Sequence, residues 1–257
     1  EDTSNNFNFI GNNKKPFYVI NWLARKSVSS TSQRLGKSAG YFFYERSDGY
    51  YFKSVDSLFS QEKKKSFIYT ETTGVPKGYD ANVLSFKKGN LIDAQKKLQI
   101  GSYSTRTILF DPFTTYYEVV TPNAERNEED LKLAGSNLPT LNPEFNQPGA
   151  NKEFSRTTYY LLDKGTLASG DNQQQLEKKN EENFKYSQIL NQSIMRLNQF
   201  FSSQATITIA GDFSLHIGDA IYLDLPKLGV DRGKELDKQD SGLYIIAELT
   251  HLVDTNG

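Results

Sequence analysis

The 257-residue chain contains no cysteine. That excludes disulfides, thiolate metal sites and cysteine nucleophiles, and it leaves packing alone to hold the fold. There are only two histidines, His216 and His251. Both lie in strand-patterned segments rather than loops, which reads as structural or surface placement instead of catalysis. No run approaches the roughly 18 apolar residues that a membrane helix needs, and Glu1 to Phe9 carries no basic-then-apolar leader pattern. An excess of positive charge is missing too. Thirty basic residues stand against 31 acidic ones, a formal charge of −1, which argues against a partner held by a strongly basic surface. The triplet Lys63, Lys64, Lys65 is a local exception and reads as a solvated loop.

Catalytic signatures are also absent. No phosphate-cradling loop, dinucleotide fingerprint, serine-nucleophile elbow or two-histidine zinc helix occurs. No catalytic, cofactor-binding or metal residue is therefore assigned, and no cofactor is expected. Carboxylates are plentiful enough for a two-carboxylate hydrolase, so an enzyme stays open as an alternative class. The pairs Gly211-Asp212 and Gly218-Asp219 read as turn chemistry ahead of cation binding. The chain begins at Glu1 without a methionine and ends just after a strand pattern, which implies a portion of a longer protein.

What is present is aromatic and β-rich. Seventeen Phe and 15 Tyr, set in short alternating runs, suit sheet faces and subunit contacts. Residues Pro16 to Ser29 place Phe17, Ile20, Leu23 and Ala24 on one helical face with Pro16 in the first turn. Trp22 lies in that helix, where burial outranks a role as a stacking platform. Next, GYFFYERSDGYYFKSV reads as a hairpin over Tyr41 to Glu45 and Tyr50 to Val55, closed at Asp48-Gly49. From Glu62 to Asn90 only Phe67 to Thr70 is assigned, as a strand. Asn90 to Ile100 has helical spacing and a glycine stop at Gly101.

Two β-rich runs, 103 to 110 and 113 to 120, flank Asp111-Pro112. Thr121 to Ser155 loses periodicity and reads as a long surface excursion, Thr157 to Asp163 as a single strand, and 170 to 182 as a polar connector. Tyr186, Ile189, Leu190, Ile194, Leu197, Phe200 and Phe201 then form a helical stripe. It feeds QATITIAGDFSLHIGDAIYLDL, Gln204 to Leu225, which reads as strand, turn, strand, turn, strand. Leu243 to Leu252 follows as a further strand.

The blocks PFYVINWLARKSVS, GYFFYERSDGYYFKSVDSL, TRTILFDPFTTYY, RLNQFF, ITIAGDFSLHIGDAIYLDLP and DSGLYIIAELTH, in this order, resemble the baseplate hub protein of T-even-like contractile-tailed bacteriophages. They cover less than half of the chain. The resemblance implies an α+β, mainly β protein with a tail-tube-like β-barrel built from discontinuous segments, related to the tube-like part of type VI secretion spike proteins. The implied division is a helix-and-hairpin lobe over 1–100, a barrel over 101–120 and 204–257, and an inserted lobe over 121–203 ending in the long helix. Strands at about 103 to 120 would pair with those from 204 to 252.

By that resemblance the chain is a structural protein of the virion tail baseplate. It would form a homotrimeric ring joining the trimeric central spike to the six-fold tail tube, around a channel for DNA passage, with no sequence-specific nucleic-acid binding and no membrane insertion. Phe213, Leu215, Ile217, Tyr222 and Leu223 are the expected core and ring-interface positions, with Ser214 and His216 alternating to the other face. Competing readings are a tail-associated cell-wall hydrolase and a carbohydrate-binding tail-tip protein.

Overall fold

A computed structural model describes residues 1–3, 11, 13–30, 39–70, 74–89, 99–101, 105–111, 116–120, 156–161, 186–201, 203–225, 237–238 and 240–254. The surface excursion at 121–155, the connector at 170–182 and nearly all of the expected helix at 90–100 lie outside the described residues. The described chain is α+β and mainly β, with one five-stranded sheet curled into a half-barrel. Its internal packing divides it into two units, Glu1–Phe43, Phe52–Asp56 and Ile92–Ser202 in one and Tyr44–Tyr51, Ser57–Leu91 and Ser203–Gly257 in the other.

In the first unit, α1 (Pro16–Ala24) starts on its proline, whose missing N–H costs nothing there. The hairpin strands β1 (Tyr41–Arg46) and β2 (Gly49–Ser54) meet where expected. Near its base Tyr41 stacks on Phe52, with ring centroids 4.7 Å apart. The turn itself is Ser47-Asp48, and Gly49 opens the return strand at a φ of 143° that favours glycine. Strand β2 runs directly into a short helix, α2 (Val55–Ser60), where the hairpin was expected to continue to Val55.

Strands β5 (Thr105–Asp111), β6 (Tyr116–Val120) and β7 (Arg156–Leu161) form a sheet of order β6-β5-β7, with β7 parallel to β5. The long helix α3 (Tyr186–Phe200) buries Leu190 and Ile194, as its stripe predicts. It also buries Arg196, 1 % exposed. The Arg196 guanidinium donates to the Ala39 carbonyl at 2.9 Å and pairs with Asp56, while Gln192, one turn earlier, accepts the Ala39 N–H at 2.8 Å. Both backbone polar groups of buried Ala39 are thus satisfied by two side chains at i and i+4.

The second unit holds β3 (Lys65–Ile68), β4 (Ala81–Gly89), β8 (Gln204–Ile209), β9 (Ala220–Asp224) and β10 (Gly242–Ile245) in the order β10-β9-β3-β4-β8. Strand β3 is parallel to both neighbours, and the two outer pairs are antiparallel. One face carries the core of Phe67, Val83, Leu215, Ile221, Leu223 and Leu225. Enclosing a side chain such as Phe67 or Leu223 contributes about 1.5–3 kcal/mol.

Two expectations are corrected here. The strands of 204–245 pair with β3 and β4, and not with those at 105–120, which belong to the β6-β5-β7 sheet. Among the described residues the half-barrel is therefore built from 65–89 and 204–245. Alternation marks a segment as a strand but does not encode its partner. The second correction concerns 210–219, which is turns and not a strand. Asp212 accepts the Ser214 N–H at 2.9 Å and Asp219 accepts the His216 N–H at 2.9 Å, so side chains take the donors that a ladder would need. The last strand is likewise shorter than Leu243 to Leu252, ending at Ile245.

Gly218 fixes the second of these turns. Its φ is 84°, and a Cβ built there would lie 2.5 Å from the Tyr44 hydroxyl and 2.7 Å from its ring. Replacing Gly218 with Ala is expected to cost about 2–4 kcal/mol, from left-handed backbone strain plus overpacking, measured by urea unfolding. A loss within 0.5 kcal/mol of zero, the range ordinary for surface changes, contradicts this account.

Candidate assembly surface

Strand β9 and the turn before it carry all five expected interface positions, and the structure separates them. Leu215 and Leu223 are core. Ile217 is half-buried and offers its carbonyl to Arg46 Nε at 2.6 Å. Tyr222 is half-buried, with Lys63 Nζ 4.9 Å above its ring. Only Phe213 is widely open, 73 % exposed, with its ring centroid 4.7 Å from that of His251. Exposed apolar side chains that alternation did not single out are Leu243 on β10, Leu84 on β4, and Leu252 and Val253 beyond the last strand.

The polar framework holding this surface centres on Asp219, which is 7 % exposed. Its carboxylate pairs with Arg46 near the hairpin tip and with Lys64 Nζ at 2.7 Å, besides accepting the His216 N–H. The neighbouring backbone is closed from both sides. Gly218 N–H donates to Ile246 O at 2.7 Å, Ile246 N–H donates to Asp219 O at 3.0 Å, and Gln61 Nε2 donates to Gly218 O at 2.8 Å. Lys65 pairs with Asp212 and Lys88 with Asp240. The triplet at 63–65 is thus not a free basic patch: Lys63 covers an aromatic ring and the other two hold turn aspartates.

Burial by itself would raise the Asp219 carboxyl. The hydrogen bonds from Lys64 and the His216 amide, with the charges of Arg46 and Lys64, outweigh it and hold the group below the usual carboxylate range. Lys65 and the Ser214 donors hold Asp212 lower still. Asp48, bonded to the Tyr51 hydroxyl at 2.6 Å, also shifts down. Two tyrosines move the other way. Tyr79 is pushed up to about 12, first by its hydrogen bond to Asp224, and Tyr222 rises first through the charge of Asp224.

His216 has its Nδ1 3.0 Å from Ser214 O and 3.8 Å from the Asp219 carboxylate. Trp22 is half-buried, with Lys26 Nζ 3.5 Å from its ring centroid, so one ring face is already covered. Among the described residues no group of three or more His, Cys, Asp or Glu is placed to hold a metal, and no helix is long and apolar enough to cross a membrane. No protein-family model matches the chain, and no curated protein matches it.

The depressed Asp219 carboxyl sets a pH dependence. Its ionised form stabilises the fold above the ordinary carboxylate range, and that contribution disappears as pH falls below about 4 through the folded-state value. Asp219→Asn is expected to cost about 3 kcal/mol at neutral pH by leaving Arg46 unneutralised, and to flatten stability between pH 5 and pH 3, roughly the window in which aspartates titrate. Urea midpoints measured across that window check both, and an unchanged slope in the variant contradicts the assignment.

Proposed function

We propose that this chain is a structural subunit of a phage tail baseplate hub, a homotrimeric ring of tail-tube-like half-barrels joining the central spike to the six-fold tail tube around a channel for DNA. The observation that carries this reading is the curled five-stranded sheet with β10 and β8 at its edges, where neither has an outer partner among the described residues. An edge strand presents unpaired peptide groups, and closure through neighbouring copies is one way to cover them. Exposed Leu243 on β10 supports a covered edge, since it wastes apolar surface in water. The sequence blocks that resemble the hub family include β9, β10 and the turn between β8 and β9.

The near-neutral charge suits a bore through which DNA slides without being held. The hydrolase alternative requires a carboxyl held above its ordinary range as general acid, whereas Asp48, Asp212 and Asp219 are all shifted down. The carbohydrate-binding alternative would use Trp22 as a stacking platform, and Lys26 occupies one face of that ring.

Light-scattering mass of the full chain tests the proposal. A species of three 29.1-kDa chains is expected, and charge at the β10 edge, Leu243→Lys, is expected to shift it to monomer with the urea midpoint unchanged. A wild-type protein that stays monomeric at high concentration and cleaves peptidoglycan overturns it.

A further inference from the structure

Between Asp2 and Glu45 the chain holds no Asp or Glu, although it has 31 of them in all. The side-chain charges of this stretch are all positive, and four of them, Lys14, Lys15, Arg25 and Lys26, stand at the two ends of α1. Lys14 and Lys15 are badly placed for helix stability. They sit at the positive end of the helix dipole, with no acidic residue in the first turn and no side-chain hydrogen bond at the N-cap, Lys15. Neither they nor Arg25 has a carboxylate partner among the described residues. A local rule broken with no compensating bond is expected where a surface meets a partner.

The outward side of α1 is aromatic as well as basic. Lys14, Tyr18, Asn21 and Arg25 recur at helical spacing on one side and are all exposed. Phe17 borders them, and it and Tyr18 are 52 % and 57 % exposed. Each ring of the helix already lies against a neighbour. Phe17 meets Phe43 with centroids 5.4 Å apart, Lys14 Nζ is 5.4 Å above Tyr18, and Lys26 Nζ is 3.5 Å above Trp22. Stacked nucleobases need open ring faces, so this arrangement favours a partner that takes up apolar ring surface at any angle beside ammonium groups. A lipid headgroup layer does that, because rings settle at the interface while lysine stems extend to the phosphates.

We propose that the exposed side of α1 docks on an anionic lipid surface, with Phe17 and Tyr18 among the headgroups and Lys14, Lys15 and Arg25 on the phosphates. The contact is peripheral, since a helix of 9 residues lies in the interface and does not span it. Each cation close to such a surface contributes about fivefold in binding, and salt screens that contribution. This surface belongs to the first unit and does not rest on the ring reading, whose edges β8 and β10 are in the second.

Sedimentation of the full chain with vesicles of phosphatidylcholine, with and without phosphatidylserine, tests this. Trp22 gives a second signal, as the only tryptophan of the chain. Binding to the anionic vesicles alone is expected, with a blue shift of Trp22 emission and release at high salt. Lys14→Gln combined with Lys15→Gln is expected to weaken binding about 25-fold, and Phe17→Ser about tenfold. Lys77→Gln, the same change at an exposed lysine of the second unit, is expected to leave binding unchanged. No binding to anionic vesicles, equal binding to both kinds, or wild-type affinity in the paired-lysine or Phe17 variant overturns the proposal. Tighter binding to a single-stranded oligonucleotide or to polyglutamate than to the anionic vesicles overturns it as well.

Discussion

The second unit depends on one buried carboxylate. Asp219 lies at the start of β9, and three donors from separate stretches converge on it: Arg46, Lys64 and the His216 amide. Removing a carboxylate from water is costly, and only close, charge-assisted partners reverse that cost. Here they do, since the group ionises more readily than a free one. The same contacts fix where the turn at 216–219 sits, and Gly218, crowded by Tyr44, leaves that turn no alternative backbone. Strand β9 then enters the sheet in register with β3 on one side and β10 on the other.

Local features of this arrangement were legible in the sequence. The β1-β2 hairpin reads directly from GYFFYERSDGYYF because its pairing is set within a few residues of Asp48-Gly49. The α3 stripe reads from its period, and β8 and β9 from alternation and apolar runs. Strand β4 did not read, because ANVLSFKKG carries two lysines and an irregular register between Val83 and Ser85 that breaks the alternation. Partner choice was hidden as well. The β3-β9 pair joins residues far apart in the chain, and nothing in either run names the other. Apolar alternation at Phe213, Leu215 and Ile217 suggested a strand, yet two aspartates capture the local amides and make turns instead. Phe213 and Leu215, assigned together from alternation, therefore separate into an open ring and a core residue.

The polar side chains that organise the interior were the least legible. Arg196 and Gln192 lie within a helix whose apolar stripe accounts for its period, so neither announces burial. Their role appears only once the Ala39 N–H and C=O are seen bonded to them. Lys64 and Lys65 look like part of a solvated triplet, and a charge run gives no sign of a distant carboxylate. In each case the decisive fact is a long-range polar contact, and residue type fixes its chemistry but not its partner.

The two buried carboxylates flanking β9 show how one strand divides its polar obligations. Asp219 precedes the strand and is neutralised by two side-chain cations, which makes the turn rigid and self-sufficient. Asp224 ends it on the face away from the core, where its carboxylate accepts the Tyr79 hydroxyl. Both groups raise the same electrostatic problem in the same sheet, and among the described residues only Asp219 is paired with side-chain cations. The hydrogen bond to Asp224 is the first cause that pushes the Tyr79 phenol up to about 12. The two ends of β9 are thus held differently, one by charge-assisted pairs and the other by a neutral phenol.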